Sequence, residues 1–307
     1  MSFFSKQRRR RGVVVRAHAC VVDEALDEAE RRIERLLGRC PAVVANLEEA
    51  GVELHLIGRD QVPSDLPGLR HLKGLPRFDG QTVDERGRGY GGLHACVDED
   101  SLLRLPSARH RDHRDICAHE LAHAVLSFGL DRPLRDAVRR RHAEALAEGR
   151  WNQAYAGTNA EEFFAELAMW WVGSRGDHGR LPSPPADGPD GLRAYDPVSF
   201  ELIDALLGGR RAPGRVRWVT LSPVDRWRSG RGRLPTDVVL HNTTEVAWRL
   251  WWLDHQGARR DYGEVAPGEL RAQPTWSTHA WLLEREDGPT YGPFIAASRP
   301  SRIFFRE

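Results

Sequence analysis

The stretch ICAHELAHAVL at residues 116–126 decides the architecture of the first half of the chain, because it carries the motif H-E-x-x-H. Side chains four residues apart share one face of a helix, so His119 and His123 can bind a single metal ion. Imidazole suits zinc, and a catalytic zinc site commonly has three protein ligands and one water. Glu120 stands where it can take a proton from that water. The motif therefore predicts a catalytic zinc site.

The residues around the motif favour a helix. Asp112 or Asp115 can cap its start, residues 116–128 are rich in alanine, leucine and valine, and Gly129 can end it. A second, amphipathic helix is expected over residues 133–148.

The third zinc ligand is expected from the downstream segment TNAEEFFAEL, which begins at Thr158. Thr158 or Asn159 can cap a helix there, and Thr158 with Glu161 forms the pattern of a capping box. In that helix Glu162 and Glu166 lie four residues apart and share a face. One carboxylate can complete the zinc site, while another holds a ligand histidine through its second ring nitrogen. Helical spacing alone leaves Glu161, Glu162 and Glu166 as candidates for the third ligand.

The pattern Y-x-x-T-N-x-x-E-F-F-A-E downstream of H-E-x-x-H resembles the catalytic domain of the anthrax lethal factor-like zinc metallopeptidases. These are glutamate-zincins with an α+β fold, and the resemblance covers about residues 50–180. It implies that Glu162 is the third zinc ligand and that Glu166 orients a ligand histidine. It also implies that Tyr155 donates a hydrogen bond to the tetrahedral oxyanion or helps to protonate the leaving amine. Local packing in a loop is the alternative for Tyr155.

The last part of the chain has a different pattern. From Thr236 onwards apolar residues recur with a period of two, which is typical of half-buried β-strands. Turn signals such as Pro267-Gly268 separate the runs. Short strands at this spacing predict an all-β sandwich. The expected strands cover residues 238–241, 246–253, 259–265, 270–273, 276–283 and 294–297.

The same region resembles the β-domain of the von Hippel–Lindau tumour-suppressor protein over about residues 236–306. The pattern consists of Asn242, W-L-x-x-x-G from Trp252, a tyrosine ten residues after that tryptophan, Pro-Gly, and T-W-x-x-H-x-W from Thr275. That domain binds a peptide containing 4-hydroxyproline, so the resemblance implies a pocket for a proline- or hydroxyproline-containing peptide. The residues implied to line it are Trp252, Tyr262, Thr275, His279 and Trp281. The alternative is that these are ordinary core or surface residues of a sandwich without a ligand.

These features predict a domain organisation. We expect a zinc metallopeptidase domain over residues 1–209, with its core at about 50–180. Residues 210–232, rich in arginine, glycine and proline, are the expected linker, and residues 233–307 are the expected sandwich. The helical domain that recruits elongin C in the von Hippel–Lindau family has no counterpart here, so no elongin partner is expected.

The composition argues against several functional classes. A formal net charge of +1 gives no global field that attracts nucleic acid, and the basic run Lys6–Arg11 is interpreted as a disordered tail. No apolar run approaches the ~20 residues of a membrane span. Residues 13–15 are too short an apolar core for a signal peptide. We therefore expect a cytoplasmic protein, or one exported without a cleaved signal peptide. The preference for arginine over lysine is typical of a GC-rich, bacterial genome.

The cysteines lack C-x-x-C spacing, which argues against a second metal site and against a disulfide framework. They are Cys20, Cys40, Cys96 and Cys117. His110 and His113, ahead of the predicted active helix, are interpreted as solvated side chains.

Together these features predict a zinc-dependent endopeptidase whose C-terminal sandwich binds a proline- or hydroxyproline-containing peptide or protein. The competing hypothesis is a non-catalytic or latent peptide-binding or regulatory protein that uses the sandwich alone. The complete set of Glu120 and three candidate ligands favours the enzyme.

Overall fold

The computed structural model describes residues 3–76, 80–109, 112, 114–286, 288 and 290–305. It divides the chain into two compact units, one formed by Met1–Leu66 and Gly87–Val216 and the other by Pro67–Arg86 and Arg217–Glu307. The first unit is mixed α/β, and the second is built mainly from β-sheets. No helix among the described residues has the length and the apolar run that a membrane crossing needs.

Helices dominate the first unit and strands dominate the second. The α-helices of the described residues are α1 Asp23–Leu37, α2 Pro41–Ala50, α3 Val83–Arg86, α4 Glu99–Leu103, α5 Ile116–Ala124, α6 Arg132–Ala147, α7 Ala160–Trp171, α8 Gly188–Tyr195 and α9 Pro197–Leu207. The strands are β1 Lys6–Arg10, β2 Val13–Ala17, β3 Glu53–Ile57, β4 His94–Asp98, β5 Val219–Thr220, β6 Pro235–His241, β7 Trp248–Leu253, β8 Arg259–Val265, β9 Leu270–Trp276, β10 Ala280–Glu284, β11 Thr290–Ile295 and β12 Ser301–Phe304.

The first unit is organised on a four-stranded sheet with the order β1-β2-β3-β4. Strands β1 and β2 are antiparallel, whereas β2, β3 and β4 run parallel to one another. Helices α1 and α2 connect β2 to β3, because parallel neighbours need such a crossover. Val13, Val15, Leu54 and Leu56 alternate along β2 and β3 and are fully buried, so one face of the sheet belongs to the core.

The interpretation of the basic N-terminal run as a disordered tail is wrong, because the run forms strand β1. Arg11 and Gly12 turn the chain with φ of 45° and 71°, the left-handed conformations of a tight hairpin turn. The arginines pair with carboxylates of the neighbouring helices, including Arg9 with Glu48 at 3.0 Å and Arg11 with Glu34 at 2.5 Å. Charge repulsion within the run favours disorder, but only the folded chain supplies these partners.

Helices α5 and α7 pack against each other, and α5 also packs against β4. Their apolar faces bury Leu121, Phe163, Phe164 and Trp170 almost completely. Full burial of a large apolar side chain contributes about 1.5–3 kcal/mol. This packing holds the two helices side by side, so that polar residues of one can reach polar residues of the other.

The second unit contains two four-stranded sheets, with the orders β11-β10-β7-β8 and β5-β12-β6-β9. Apolar side chains from both sheets form one buried core, as a β-sandwich requires. The core includes Val238, Leu240, Trp248, Leu250, Val265, Trp281, Phe294, Ile303 and Phe305. The predicted two-sheet architecture is confirmed, and β12 is a strand that was not expected.

The single strand predicted over residues 276–283 is wrong, because the chain changes sheets within it. Strand β9 ends at Trp276 and pairs with β6, whereas β10 begins at Ala280 and pairs with β7. Thr278 between them has a φ of 71°, a left-handed conformation that a strand does not include. The corner places His279 where residues of the two sheets meet.

Candidate functional site

Helix α5 carries the H-E-x-x-H motif and is fixed at its N-terminus. Asp115 caps it, and its Oδ1 accepts a hydrogen bond from the Ala118 N–H at 3.0 Å. The buried guanidinium of Arg32 pairs with the other oxygen of Asp115. Of the two caps that the sequence allowed, the structure uses this one. Helix α5 ends at Ala124 and continues into one π-helical turn, Val125–Gly129.

Helix α7 supplies the carboxylates that approach the motif. Its N-cap is Asn159, whose Oδ1 accepts a hydrogen bond from the Glu162 N–H at 2.8 Å. The predicted capping box of Thr158 with Glu161 is wrong, because α7 begins at Ala160, one residue later than that box requires. The amide of Glu162 therefore closes the cap while its side chain reaches α5.

His119, His123 and Glu162 bring three ligand atoms together. The two histidine Nε2 atoms are 3.1 Å apart, and Glu162 Oε2 lies 3.1 Å from one and 3.4 Å from the other. A tetrahedral ion with bonds of about 2.0–2.1 Å holds its ligand atoms about 3.4 Å apart. The three atoms therefore fit three corners of such a site. No other trio of His, Cys, Asp or Glu ligands converges in the part of the chain that the structure describes.

The pKa values of these side chains reflect this crowding. Burial lowers the pKa of His119, but the carboxylates of Glu162 and Glu166 outweigh it and raise that pKa to about 10. Burial raises the pKa of Glu162, but His119 and His123 outweigh it and hold that pKa well below its usual range. A metal ion that bound these three side chains would have to displace the proton that His119 holds, because only a neutral imidazole can be a ligand.

Glu166 supports the site from behind. Its Oε1 lies 3.1 Å from His119 Nδ1, close enough for an ion pair although the atoms are not aligned as a hydrogen bond. Its Oε2 accepts a hydrogen bond from the Asp177 N–H at 2.5 Å. Glu166 is only 1% exposed. A carboxylate at the second nitrogen of a ligand histidine is the usual partner that fixes the ring.

Glu120 lies beside the backbone of the segment that precedes β4. A Cβ at Gly89 would stand 2.6 Å from Glu120 Oε1, and a Cβ at Gly91 would stand 2.4 Å from the His123 Cβ. Tyr90, between these glycines, pairs with β4 through two backbone hydrogen bonds of 3.1 and 2.8 Å. Only glycine allows so close an approach to the helix. This backbone helps to leave Glu120 just 8% exposed.

Tyr155 lies at the rim of the same site, in the short 3₁₀ turn Tyr155–Gly157. Its ring centroid is 6.4 Å from that of His119, with an angle of 26° between the rings. The residue is 41% exposed, so it borders the site and also faces solvent. His110 and His113 lie outside the described residues.

The five residues implied to form a peptide pocket make one contiguous cluster at the corner between β9 and β10. Thr275 Oγ1 lies 3.2 Å from His279 Nδ1 and accepts a hydrogen bond from Trp281 Nε1 at 3.2 Å. Tyr262 meets Trp281 edge to face with ring centroids 4.9 Å apart, and Trp252 lies 5.2 Å from His279. Trp281 is 2% exposed and Tyr262 is 36% exposed. The cluster thus combines a buried tryptophan with a tyrosine that is partly exposed to solvent.

Sequence reasoning missed several residues beside these sites. The ring of His255 lies 5.7 Å from the rings of both Trp252 and His279. The glycine-rich run G-R-G-Y-G-G was visible in the sequence, but not its contact with Glu120. Asp177 belongs to no motif, and only the folded chain reveals its contact with Glu166.

Comparison with known proteins bears mainly on the C-terminal part. Residues 227–293 match the family model of the VHL beta domain, which agrees with the two-sheet architecture found there. Among solved structures, a Pro-Pro endopeptidase from Paenibacillus alvei is similar at 16% identity and a TM-score of 0.33, over 64% of this chain and 99% of that chain. A similarity this distant leaves the catalytic assignment to the side chains described above. No curated protein matches the chain.

Proposed function

We propose that the chain is a zinc-dependent endopeptidase whose C-terminal β domain binds a proline- or hydroxyproline-containing peptide or protein. The observation that carries the catalytic part is the convergence of ligand atoms from His119, His123 and Glu162 at separations of 3.1–3.4 Å. Two imidazoles and a carboxylate are a known donor set of catalytic zinc. Glu120 lies within the same helical turn, so a proton acceptor adjoins the site.

In the proposed reaction, the zinc ion and the side chains of the protein have separate roles. Bound zinc supplies Lewis-acid chemistry, lowering the pKa of water and polarising a carbonyl oxygen. Glu120 takes the proton of the attacking water and delivers it to the leaving amine, a role that contributes about 10²–10⁴-fold to the rate. Burial raises the pKa of Glu120, and a desolvated carboxylate is a stronger base.

Two further side chains have positions that suit roles in this reaction. Tyr155 is proposed to donate its phenolic O–H to the oxyanion, because its ring lies beside His119 and remains partly exposed. Glu166 is proposed to hold His119 so that Nε2 points toward the ion, because it contacts the opposite ring nitrogen.

The β domain is proposed to bind the peptide at the cluster formed with β9 and β10. The aromatic rings of Trp252, Tyr262 and Trp281 suit the faces of a pyrrolidine ring, and the Thr275 hydroxyl and His279 imidazole suit a hydroxyl added to it. A non-catalytic peptide-binding or regulatory protein is the second candidate function. The family match over residues 227–293 favours it, because that match does not depend on the metal site.

The proposal includes a division of the chain into a catalytic domain at residues 1–209, a linker at 210–232 and a peptide-binding domain at 233–307. The family match begins within the proposed linker, at residue 227. The second compact unit also includes Arg217 and the residues after it. A cytoplasmic location, or export without a cleaved signal peptide, completes the proposal.

The test is to label new protein N-termini in a cell lysate treated with the zinc-loaded protein. The control is the Glu120→Gln form, which retains the size of the side chain and removes the base. Specific cleavages with the wild type alone would support the peptidase, and the residues around the cuts would show whether proline guides it. Identical lysates would contradict the peptidase and leave the peptide-binding protein as the better account.

A further inference from the structure

A short segment after α7 connects the parts of the proposed catalytic site. It covers residues 176–180, which we call the clamp segment, and follows the turn at residues 172–173 that ends α7. Its second residue, Asp177, forms hydrogen bonds through its N–H, its side chain and its C=O. Each bond leads to a different element of the site.

The N–H of Asp177 fixes the carboxylate behind the metal ligands. It donates to Glu166 Oε2 at 2.5 Å, while the other oxygen of Glu166 faces His119. Gly176 makes this approach possible, because a Cβ there would stand 2.4 Å from Glu166 Oε2 and 2.2 Å from a ring carbon of Trp170. The close fit leaves Glu166 little freedom to turn away from His119.

The side chain of Asp177 ties the clamp segment to the start of α5. Its Oδ2 accepts a hydrogen bond from Arg114 Nη1 at 2.7 Å. Arg114 immediately precedes Asp115, the residue that caps α5. The Arg114 side chain is 16% exposed and that of Asp177 is 40% exposed, so water screens the pair in part. Arg114 Nε also pairs with Asp112 Oδ2 at 2.8 Å. The Arg114–Asp177 hydrogen bond therefore fixes the position of the clamp segment relative to α5, the helix that carries both histidines.

The C=O of Asp177 reaches the loop of the proposed oxyanion residue. It accepts a hydrogen bond from the Tyr155 N–H at 3.4 Å. The next turn strengthens the connection, because the Arg180 N–H donates to the Gln153 C=O at 2.8 Å. The His178 ring also stacks on Trp170 of α7, with centroids 5.8 Å apart. The clamp segment therefore joins α5, α7 and the loop before α7.

We propose that Asp177, held by Arg114, is a positioning residue that sets Glu166 and Tyr155 relative to the histidines of α5. This inference rests on the proposed zinc peptidase. Loss of the Arg114–Asp177 bond removes the link between the clamp segment and the start of α5, so the positions of Glu166 and Tyr155 relative to the histidines become less defined. Removal of a group that orients a metal ligand commonly weakens metal binding by about 10–100-fold.

The experiment compares Arg114→Met with Arg114→Lys in the full-length chain. Zinc affinity is measured by competition with a chromogenic chelator, and kcat and KM are measured on a peptide found by the lysate experiment. Arg114→Met should weaken zinc binding about tenfold and lower kcat with little change in KM. Arg114→Lys keeps the charge and should restore most of both values. Arg210→Met, which breaks an exposed arginine pair with Glu201 and Asp204, should match the wild type.

Two results separate failure of this inference from failure of the proposed function. A wild type that binds zinc and cleaves peptide, with an Arg114→Met form that binds zinc within twofold of it, would overturn the positioning role even if thermal stability falls. A wild type that neither binds zinc nor cleaves any peptide would remove the proposed function, and the inference with it.

Discussion

Replacing Gly91 by alanine should disrupt the candidate metal site through a single methyl group. The added Cβ would stand 2.4 Å from the His123 Cβ and 2.8 Å from its Cγ and Cδ2. Carbon atoms in contact prefer about 3.5–4.0 Å, so the backbone and the helix must separate by about 1 Å. The hydrogen bonds between Tyr90 and β4 resist movement of the backbone around Gly91. We therefore expect His123 to be displaced instead.

The expected cost follows from that displacement. Metal sites tolerate distance errors of about 0.2 Å, and a misplacement of about 1 Å in a catalytic group can reduce the rate about 10²-fold. Gly91→Ala should therefore weaken zinc binding more than tenfold and lower kcat/KM about 100-fold. Overpacking should also reduce the free energy of unfolding by about 1–3 kcal/mol.

The assay is zinc competition titration together with peptide cleavage, and Gly87→Ala is the matched control. A Cβ at Gly87 would have only backbone atoms of Gly89 near it, at 3.9 Å or more, so this variant should bind zinc as the wild type does. A Gly91→Ala protein with unchanged zinc affinity would refute the close packing of this segment on α5.

Three further predictions test stability. Burial raises the pKa of Glu53, but hydrogen bonds from His55 and Arg16 outweigh it and lower that pKa from 4.5 to about 2. The stability that this carboxylate contributes is present above pH 4.5 and is lost as the pH falls to 2. The free energy of unfolding of Glu53→Gln, measured between these pH values, should therefore fall by about 2 kcal/mol less than that of the wild type. Thr275→Val leaves the buried Trp281 N–H without its acceptor and should cost about 1–3 kcal/mol in denaturant unfolding, whereas Thr275→Ser should not. Chelation of zinc, from a free concentration a thousandfold above Kd, should lower the free energy of unfolding by about 4 kcal/mol.

Local spacing predicts the parts of the site that one helix can hold. The i, i+4 relation of His119 and His123 needs only an α-helix, and α5 provides it. The third ligand was harder to predict. Glu161 and Glu162 both lie in the first turn of α7, and helical spacing alone did not show which of them faces the histidines. Packing of α7 on α5 brings Glu162 to the histidines, and Glu166 lies one turn later against the opposite nitrogen of His119.

Features that depend on distant partners could not be read from the sequence. The arginines of β1 need carboxylates from α1 and α2, such as Glu34 and Glu48. The left-handed backbone of Thr278 breaks an apparently continuous strand, although threonine rarely adopts that conformation. Asp177 has no motif around it, and three of its hydrogen bonds join elements that are separate in sequence.

The proposed peptide-binding cluster in the β domain was predictable in part. Its aromatic and hydroxyl residues were recognisable as a pattern, and the fold brings them into contact across two sheets. His255 joins the same ring cluster and has no place in that pattern. The resemblance to the von Hippel–Lindau β-domain supplied the residues, whereas only the structure showed the corner at His279 that brings them together.

The most direct test of the account is the zinc stoichiometry of Glu162→Gln beside that of its neighbour Glu161→Gln. Both variants remove one carboxylate from the first turn of α7, but only Glu162 lies against the two histidines. The account predicts one tightly bound zinc in the wild type and in Glu161→Gln, and none retained by Glu162→Gln after dialysis. Zinc retained equally by Glu162→Gln and the wild type would contradict the His119–His123–Glu162 site.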